Sequence, residues 1–316
     1  MVAMSVPLAH VIRNGLVEGV HHGSAVVVDK HGAVLWSRGD IDRHMFPRSA
    51  NKLMQGLAMV RSGLPLEGRL LALACASHSG EAIHTDGVAD ILNAAGMDAG
   101  SLQCPADYPL DPVERDTLLA EGIEPAVRYM NCSGKHAAML LTCAVAGWDS
   151  AHYLEPAHPL QIACRAAIED STGVSVLHVG TDGCGAPLMS TTLTGLARSF
   201  AQFARPDADL QRARIATAIR QHPEYLAGTR RDEFQLMASL PGSIAKLGAE
   251  AVYGIGLADG TAVAVKIDDG ADRARVTVAA TILRDVVGVS NAVIAEQCEL
   301  PVLGGGRRVG EVRAVL

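Results

Sequence analysis

Short apolar runs with strand-like alternation occupy the two ends of the chain, and helical periodicity fills the middle. Ser24–Val28 and Ala33–Trp36 are β-rich runs joined by Asp29-Lys30-His31-Gly32, which predicts a hairpin. Pro47 opens a helix to about Arg61, with Leu53, Leu57, Ala58 and Val60 on its apolar face. Leu70–Ala76 is a buried run. Helical patterns follow at about Glu81–Ala95, Pro112–Glu121, Lys135–Ala146, Pro159–Thr172, Thr191–Phe203, Ala208–His222 and Arg231–Ala238. Leu177–Gly180 is β-like. Ala251–Gly256 and Ala262–Ile267 read as two strands parted by Ala258-Asp259-Gly260, and a last helix covers about Val276–Val287.

Strands flanking a large helical middle predict an α+β fold, with N- and C-terminal strands sharing one mixed sheet and helices on its face. At 316 residues the chain is expected to be one large domain over 1–316 or two intimate lobes, the helical one spanning about 50–240. Apolar residues at 49% and charged residues at 19% assure a core and exclude global disorder. Aromatics at 3% and a net charge of -7 argue against nucleic acid as a partner. The longest apolar stretch, around Ala137–Gly147, falls far short of the roughly 20 residues that span a bilayer, so no membrane role is expected. No basic start precedes an apolar run in the first twenty residues, and no strand is followed by a phosphate-cradling glycine motif. Gly304-Gly305-Gly306 reads as a flexible turn, and Arg307-Arg308 as solvated surface.

Polar islands interrupt this apolar background. In Pro47-Arg48-Ser49-Ala50-Asn51-Lys52, Ser49 and Lys52 share one face at a helix start. A serine hydroxyl attacks only when a base takes its proton, and a lysine serves only if burial or a second cation lowers its pKa. The apolar helix around Lys52 and the neighbouring Arg48 supply both conditions. The bland alternative is an N-terminal cap serine and a snorkelling lysine. Ser-x-x-Lys also recurs at Ser243-Ile244-Ala245-Lys246, so the spacing alone is weak.

Seven cysteines, an odd number without any C-x-x-C, fit reduced thiols in a cytoplasmic protein rather than a disulfide framework. Cys143 and Cys164 sit in apolar helical patterns. Cys132 and Lys135 stand three apart before a helix, and Cys184 lies in a glycine-bracketed turn where its thiolate is expected to be accessible. Two thiolates can bind zinc. By chemistry alone His136 is the conventional third ligand, because a lysine must first lose its proton. Two unrelated cysteines fit the same spacing. Asp182 reads either as a turn residue or as an anion for a substrate ammonium.

Taken together, the islands Pro47–Lys52, Cys75-Ala76-Ser77-His78-Ser79, Asn131-Cys132-Ser133-Gly134-Lys135-His136, Gly180-Thr181-Asp182-Gly183-Cys184 and Val265-Lys266-Ile267-Asp268-Asp269-Gly270 resemble the rhizobial-type, thermolabile L-asparaginase II family over about residues 17–290. The Asn-Cys-Ser-Gly-Lys-His and Gly-Thr-Asp-Gly-Cys strings are the specific ones. The resemblance implies a fold related to serine β-lactamases and glutaminases, and hydrolysis of L-asparagine to L-aspartate and ammonia. It implies two serine–lysine tandems, Ser49 with Lys52 and Ser77 with Lys266, Ser49 being the nucleophile. It implies zinc on Cys132, Lys135 and Cys184, which displaces His136 from the ligand set. His136 and Asp182 become supports of the metal ligands or substrate contacts, Arg48 becomes a substrate-carboxylate contact or a group that tunes the pKa of its neighbours, and a homodimer is implied. Lys246-Leu247-Gly248 is faintly similar to the K-T-G element of β-lactamases, and Lys246 is given no catalytic role on that ground. Two other functions fit the same islands: a penicillin-recognising serine hydrolase or other amidase, and a non-catalytic metal-binding protein.

Overall fold

The computed structural model describes residues 5–316, and an eight-stranded antiparallel sheet is its frame. The strands in chain order are β1 (Val6–Arg13), β2 (Leu16–Val28), β3 (Val34–Arg38), the two-residue β4 (His44–Met45), β5 (Val179–Thr181), β6 (Pro187–Met189), the two-residue β7 (Thr191–Thr192), β8 (Ile244–Gly248), β9 (Val252–Gly256), β10 (Ala262–Ile267), β11 (Glu299–Gly304) and β12 (Arg307–Ala314). The main sheet runs β11-β12-β1-β2-β10-β9-β8, with β3 also on β2. Strand β2 joins the two ends of the chain: Val26 faces Ala264 of β10, and His22 faces Pro7 of β1. The inner half of β2, Ser24–Val28, is fully buried, whereas Leu16, Val17 and Val20 in its outer half are exposed.

The helices fill the chain between β3 and β8: α1 (Lys52–Arg61), α2 (Gly68–Ala74), α3 (Ala82–Ala94), α4 (Pro112–Ala120), α5 (Ser133–Ala146), α6 (Pro159–Thr172), α7 (Leu193–Ala204), α8 (Leu210–Gln221), α9 (Pro223–Leu226) and α10 (Asp232–Ser239), with α11 (Asp272–Ile282) and α12 (Ala292–Gln297) near the end. This is the expected α+β plan. Helix α7 lies across β2, β9 and β10, and Gly254 of β9 permits this: an added Cβ would sit 2.2 Å from the Phe200 ring. Helix α11 covers β1, β10 and β12.

Helix α1 is the axis of the helical part. It packs against α5, α6 and α8, and every residue from Lys52 to Val60 is buried. Apolar residues all round a helix mark an interior position, so Lys52 at its first turn is carried inside. The buried run Leu70–Ala76 is realised as α2. The glycine triplet is the turn of a β11–β12 hairpin on which Arg308 pairs with Glu299 and Glu311. No helix of the described residues is long and apolar enough to cross a membrane.

Candidate active site

All five sequence islands reach one cleft of about 360 Å³, the last of them through Gly270 alone. Its walls include Arg48, Ser49, Ser77, Asn131, Cys132, Asp182 and Cys184, and the end of β8 with the β8–β9 turn closes one side. A larger groove of about 510 Å³ beside Trp36 and Val286 is mostly apolar, and its polar side chains are Asp259 and Thr261, which bond each other across a turn.

Ser49 sits in a 3-10 turn, Arg48–Asn51, that leads into α1. Its hydroxyl makes no hydrogen bond among the described residues. Two features press this turn into shape. Arg48 holds a left-handed backbone at φ +50, a conformation that costs a non-glycine residue of order 1–3 kcal/mol. Gly248 lets β8 close onto the turn, since a Cβ there would lie 2.4 Å from the Pro47 carbonyl oxygen. Glu250 and Ala251 in the facing β8–β9 turn also have positive φ, so three of the four such non-glycine residues among those described gather at this cleft or directly beneath it.

Lys52 is 1% exposed beneath the cleft. Its amine donates to Ala76 O at 2.5 Å, Ser77 Oγ at 2.9 Å and Cys132 Sγ at 3.1 Å, which uses all three of its donors. The first lysine of the expected tandems therefore binds Ser77 directly. Lys266 is not brought to Ser77: its amine donates to Glu250 O at 2.5 Å and Ile267 O at 2.6 Å, beside rather than within the cleft. Another lysine, Lys246, stands in the strand whose Leu247 and Gly248 line the cleft, and its amine donates to Glu233 Oε1 and to Leu247 O. Lys246 is fully buried with Glu233, Nζ to Oε1 3.3 Å, and Glu233 Oε2 accepts Leu247 N–H at 3.1 Å. Burial lowers the Lys246 pKa to about 8; Glu233 opposes this, while Arg231 and Lys52 add to it. Sequence reading named this residue and gave it no catalytic role. The signal present was a Lys-Leu-Gly string whose glycine must touch the serine turn.

The two cysteines from distant islands also meet, and with Lys135. All seven cysteines are unpaired and buried, so Cys184 is not the accessible turn thiol its glycine neighbours suggested. It is 1% exposed, at the floor of the cleft. Lys135 Nζ donates to Cys184 Sγ at 3.2 Å. The Cys132 thiol donates to Asn131 Oδ1 at 3.0 Å. Its nearness to Cys184 pulls the Cys184 pKa down; burial opposes this, and the Lys135 ammonium reinforces it. The same contact and burial push Cys132 well up. Burial alone would strip Lys135 of its proton, but the Cys184 and Cys132 sulfurs outweigh it and keep the ammonium above the ordinary lysine range.

His136 is fully buried and does not line the cleft. Its Nδ1 lies 2.7 Å from Tyr153 Oη, which itself accepts Gln103 N–H. In that network Tyr153 donates to Nδ1, which puts the imidazole proton on Nε2, a buried nitrogen with no hydrogen-bond partner among the described residues. Burial holds the ring neutral with a pKa of about 4. His78 turns away from the cleft, Nε2 to Ser133 Oγ at 2.8 Å. Asp182 Oδ1 accepts Arg48 Nε at 2.9 Å and Gly183 N–H, while its Oδ2 makes no hydrogen bond among the described residues.

Among the described residues no three His, Cys, Asp or Glu side chains are grouped to hold a metal. A zinc ion here would take Lys135 as its third protein donor. The donor set fits: two sulfurs and an amine converge out of water, and the lysine proton supplies the positive charge that an ion would otherwise bring.

Among solved structures the chain is similar to a β-lactamase from Mycobacterium bovis, at 15% identity over 83% of this chain and 94% of that one, with a TM-score of 0.47. It is also similar to EstCE1, described as a hydrolase with promiscuous acyltransferase activity, at 12% identity over 80% and 91%, with a TM-score of 0.42. No curated protein matches it. The model of the L-asparaginase II family matches residues 9–314, from β1 through the end of β12, and by that nearly complete match the chain belongs to this family of amidohydrolases.

Proposed function

We propose that the protein hydrolyses L-asparagine to L-aspartate and ammonia through a covalent serine intermediate. One observation carries this reading: a buried lysine amine, held between Ser77 Oγ and Cys132 Sγ, lies one helical turn beyond a serine whose hydroxyl is unpartnered at the cleft wall. Ser49 Oγ adds to the side-chain amide carbon, and its proton passes to Lys52 in the form that has lost one of its three protons and with it one of its three contacts. Backbone N–H groups at the start of the Ser49 turn, without helical partners, stabilise the oxyanion. The C–N bond breaks, ammonia leaves with the proton, and a β-aspartyl ester remains on Ser49. Water attacks that ester by the reverse proton route and frees L-aspartate. Lys246 takes the place expected of Lys266 as the second lysine of the network. Asp182 Oδ2 is open to the substrate ammonium, while Oδ1 holds Arg48.

Zinc on Cys132, Lys135 and Cys184 would supply a Lewis-acidic anchor for the polar end of the substrate. Around it, Lys52 donates to the Cys132 sulfur, so a metal ligand and the base share one hydrogen-bonded network.

The 2.9 Å contact of Lys52 with Ser77 favours a second reading, in which Ser77 is the nucleophile. Ammonia release from asparagine, glutamine and β-aspartyl compounds, with Ser49→Ala and Ser77→Ala beside the native protein, decides between them. Ser49→Ala is expected to lower kcat at least ~10³-fold with the fold intact. Full turnover by Ser49→Ala moves the role to Ser77. Trapping of labelled penicillin without ammonia release moves the protein to the penicillin-recognising hydrolases.

A further inference from the structure

Asparagine carries an α-carboxylate as well as the amide that is cut, and the cation expected for it, Arg48, is already committed. Arg48 Nε is 2.9 Å from Asp182 and its Nη1 is 3.9 Å from Glu250. A second arginine lines the same cleft, Arg231, at the N-terminal cap of α10.

Its neighbours in sequence are all matched with opposite charges. Arg230 binds Asp111 through two bonds of 2.9 Å and Glu114 at 2.6 Å. Asp232 takes Arg275 at 2.9 Å, and Glu233 takes Lys246. Arg231 alone in this run has no carboxylate within 4.0 Å among the described residues. Its one bond is from Nη1 to the Ser77 carbonyl oxygen at 2.6 Å. A guanidinium has five N–H donors in a planar fork. One donor fixes Arg231 to the backbone of the serine held by Lys52, and the others are free toward the cleft.

We infer that Arg231 is the specificity residue that receives the α-carboxylate of the substrate. The assignment rests on the amidohydrolase reading and deepens it. A carboxylate on the free edge of the guanidinium would make a charge-assisted, bidentate pair. That pair would hold the carboxylate end of the substrate at the Ser77 side of the cleft, with Asp182 Oδ2 open to the ammonium. A linear amide lacking the carboxylate would lose this contact and keep the rest.

The test compares L-asparagine with 3-aminopropanamide, which is asparagine without its α-carboxylate, in the native protein, Arg231→Gln and Arg231→Lys. Arg231→Gln is expected to lower kcat/KM for L-asparagine about 100-fold, most of it in KM, and to change that for 3-aminopropanamide by less than about threefold. Arg231→Lys keeps the charge and loses the fork, so a loss of about tenfold on L-asparagine alone is expected, and this variant carries the test if the glutamine variant does not fold. Equal loss on both substrates would make Arg231 only a prop for Ser77 and overturn the assignment. Unchanged KM for L-asparagine would overturn it as well. In both of those results the native protein still turns asparagine over, so the amidohydrolase reading stands. No ammonia from any amide with the native protein removes that reading and the Arg231 assignment together.

Discussion

The buried Lys246–Glu233 pair gives the sharpest physical test of the cleft's second lysine. Replace Glu233 by glutamine, which keeps the shape and an acceptor for Leu247 N–H but removes the charge. Breaking a buried ion pair ordinarily costs about 3–5 kcal/mol, because the partner stays charged. Lysine has an escape: it can fold neutral. At a folded pKa of about 8 against the ordinary 10.5, the native fold already gives up about 3 kcal/mol to keep Lys246 charged at neutral pH. With Glu233 gone, desolvation, Lys52 and Arg231 all press the pKa further down, and Lys246 sheds its proton. Folding with a neutral lysine at pH 7 costs about 5 kcal/mol, because the unfolded chain would hold that proton. The difference, about 1.5 kcal/mol, is the ceiling on the electrostatic loss at pH 7.

The sign of the pH dependence follows. In Glu233→Gln the unfolded chain binds one more proton than the fold below pH 10, so stability rises with pH by about 1.4 kcal/mol per unit. In the native protein Lys246 is protonated in both states up to pH 8 and adds no slope there. The gap between the two proteins is therefore expected to be about 3 kcal/mol at pH 6 and to close near pH 8. Urea unfolding of both proteins at pH 6, 7 and 8 measures it. A loss that is constant across that window, or larger at pH 8 than at pH 6, would falsify the account of Lys246 as a dischargeable buried cation.

Two further outcomes are expected. A lysine base works only when neutral, so asparagine turnover should rise toward alkaline pH, and an optimum at pH 5 with steep loss above 7 would remove lysine from the role of base. Cys184→Ser should raise KM and leave a measurable kcat if zinc positions substrate, with zinc content of the purified protein falling as pH is lowered because every ligand competes with protons; protein never exposed to chelator that holds no zinc at any occupancy would refute the site.

The helical middle was legible because its apolar faces repeat over two or more turns. Helices α3, α5 and α6 match their sequence patterns within about two residues at each end. Strands β11 and β12 escaped notice because they bury little surface. In β12 only Val312 is fully buried, and in β11 only Val302, so the alternation that marks a half-buried strand is too thin to stand out. The outer half of β2 carries exposed Leu16, Val17 and Val20 beyond the reach of the helices, and no core face imposes a period there. The seven-residue helix α2 was seen as buried but not as helical, since a run that short fits either element.

The sequence reading and the packing differ at the points where a charged side chain is buried. Strand β8 went unseen because Lys246 breaks the run Ile244-Ala245-Lys246-Leu247 if lysine is taken as a solvated residue. Its partner Glu233 is distant in sequence and belongs to a helix. Lys266, in an unbroken strand pattern, drew attention instead, and its amine goes to two carbonyl oxygens at the strand end. Arg231 was hidden in the run Arg230-Arg231-Asp232-Glu233, which reads as a charged surface segment until each charge is matched to a partner. Sequence reports that a charge exists; only packing reports whether another side chain has already neutralised it. That second quantity separates Arg48 from Arg231 and Lys266 from Lys246, and it locates the charges this fold keeps for something other than itself.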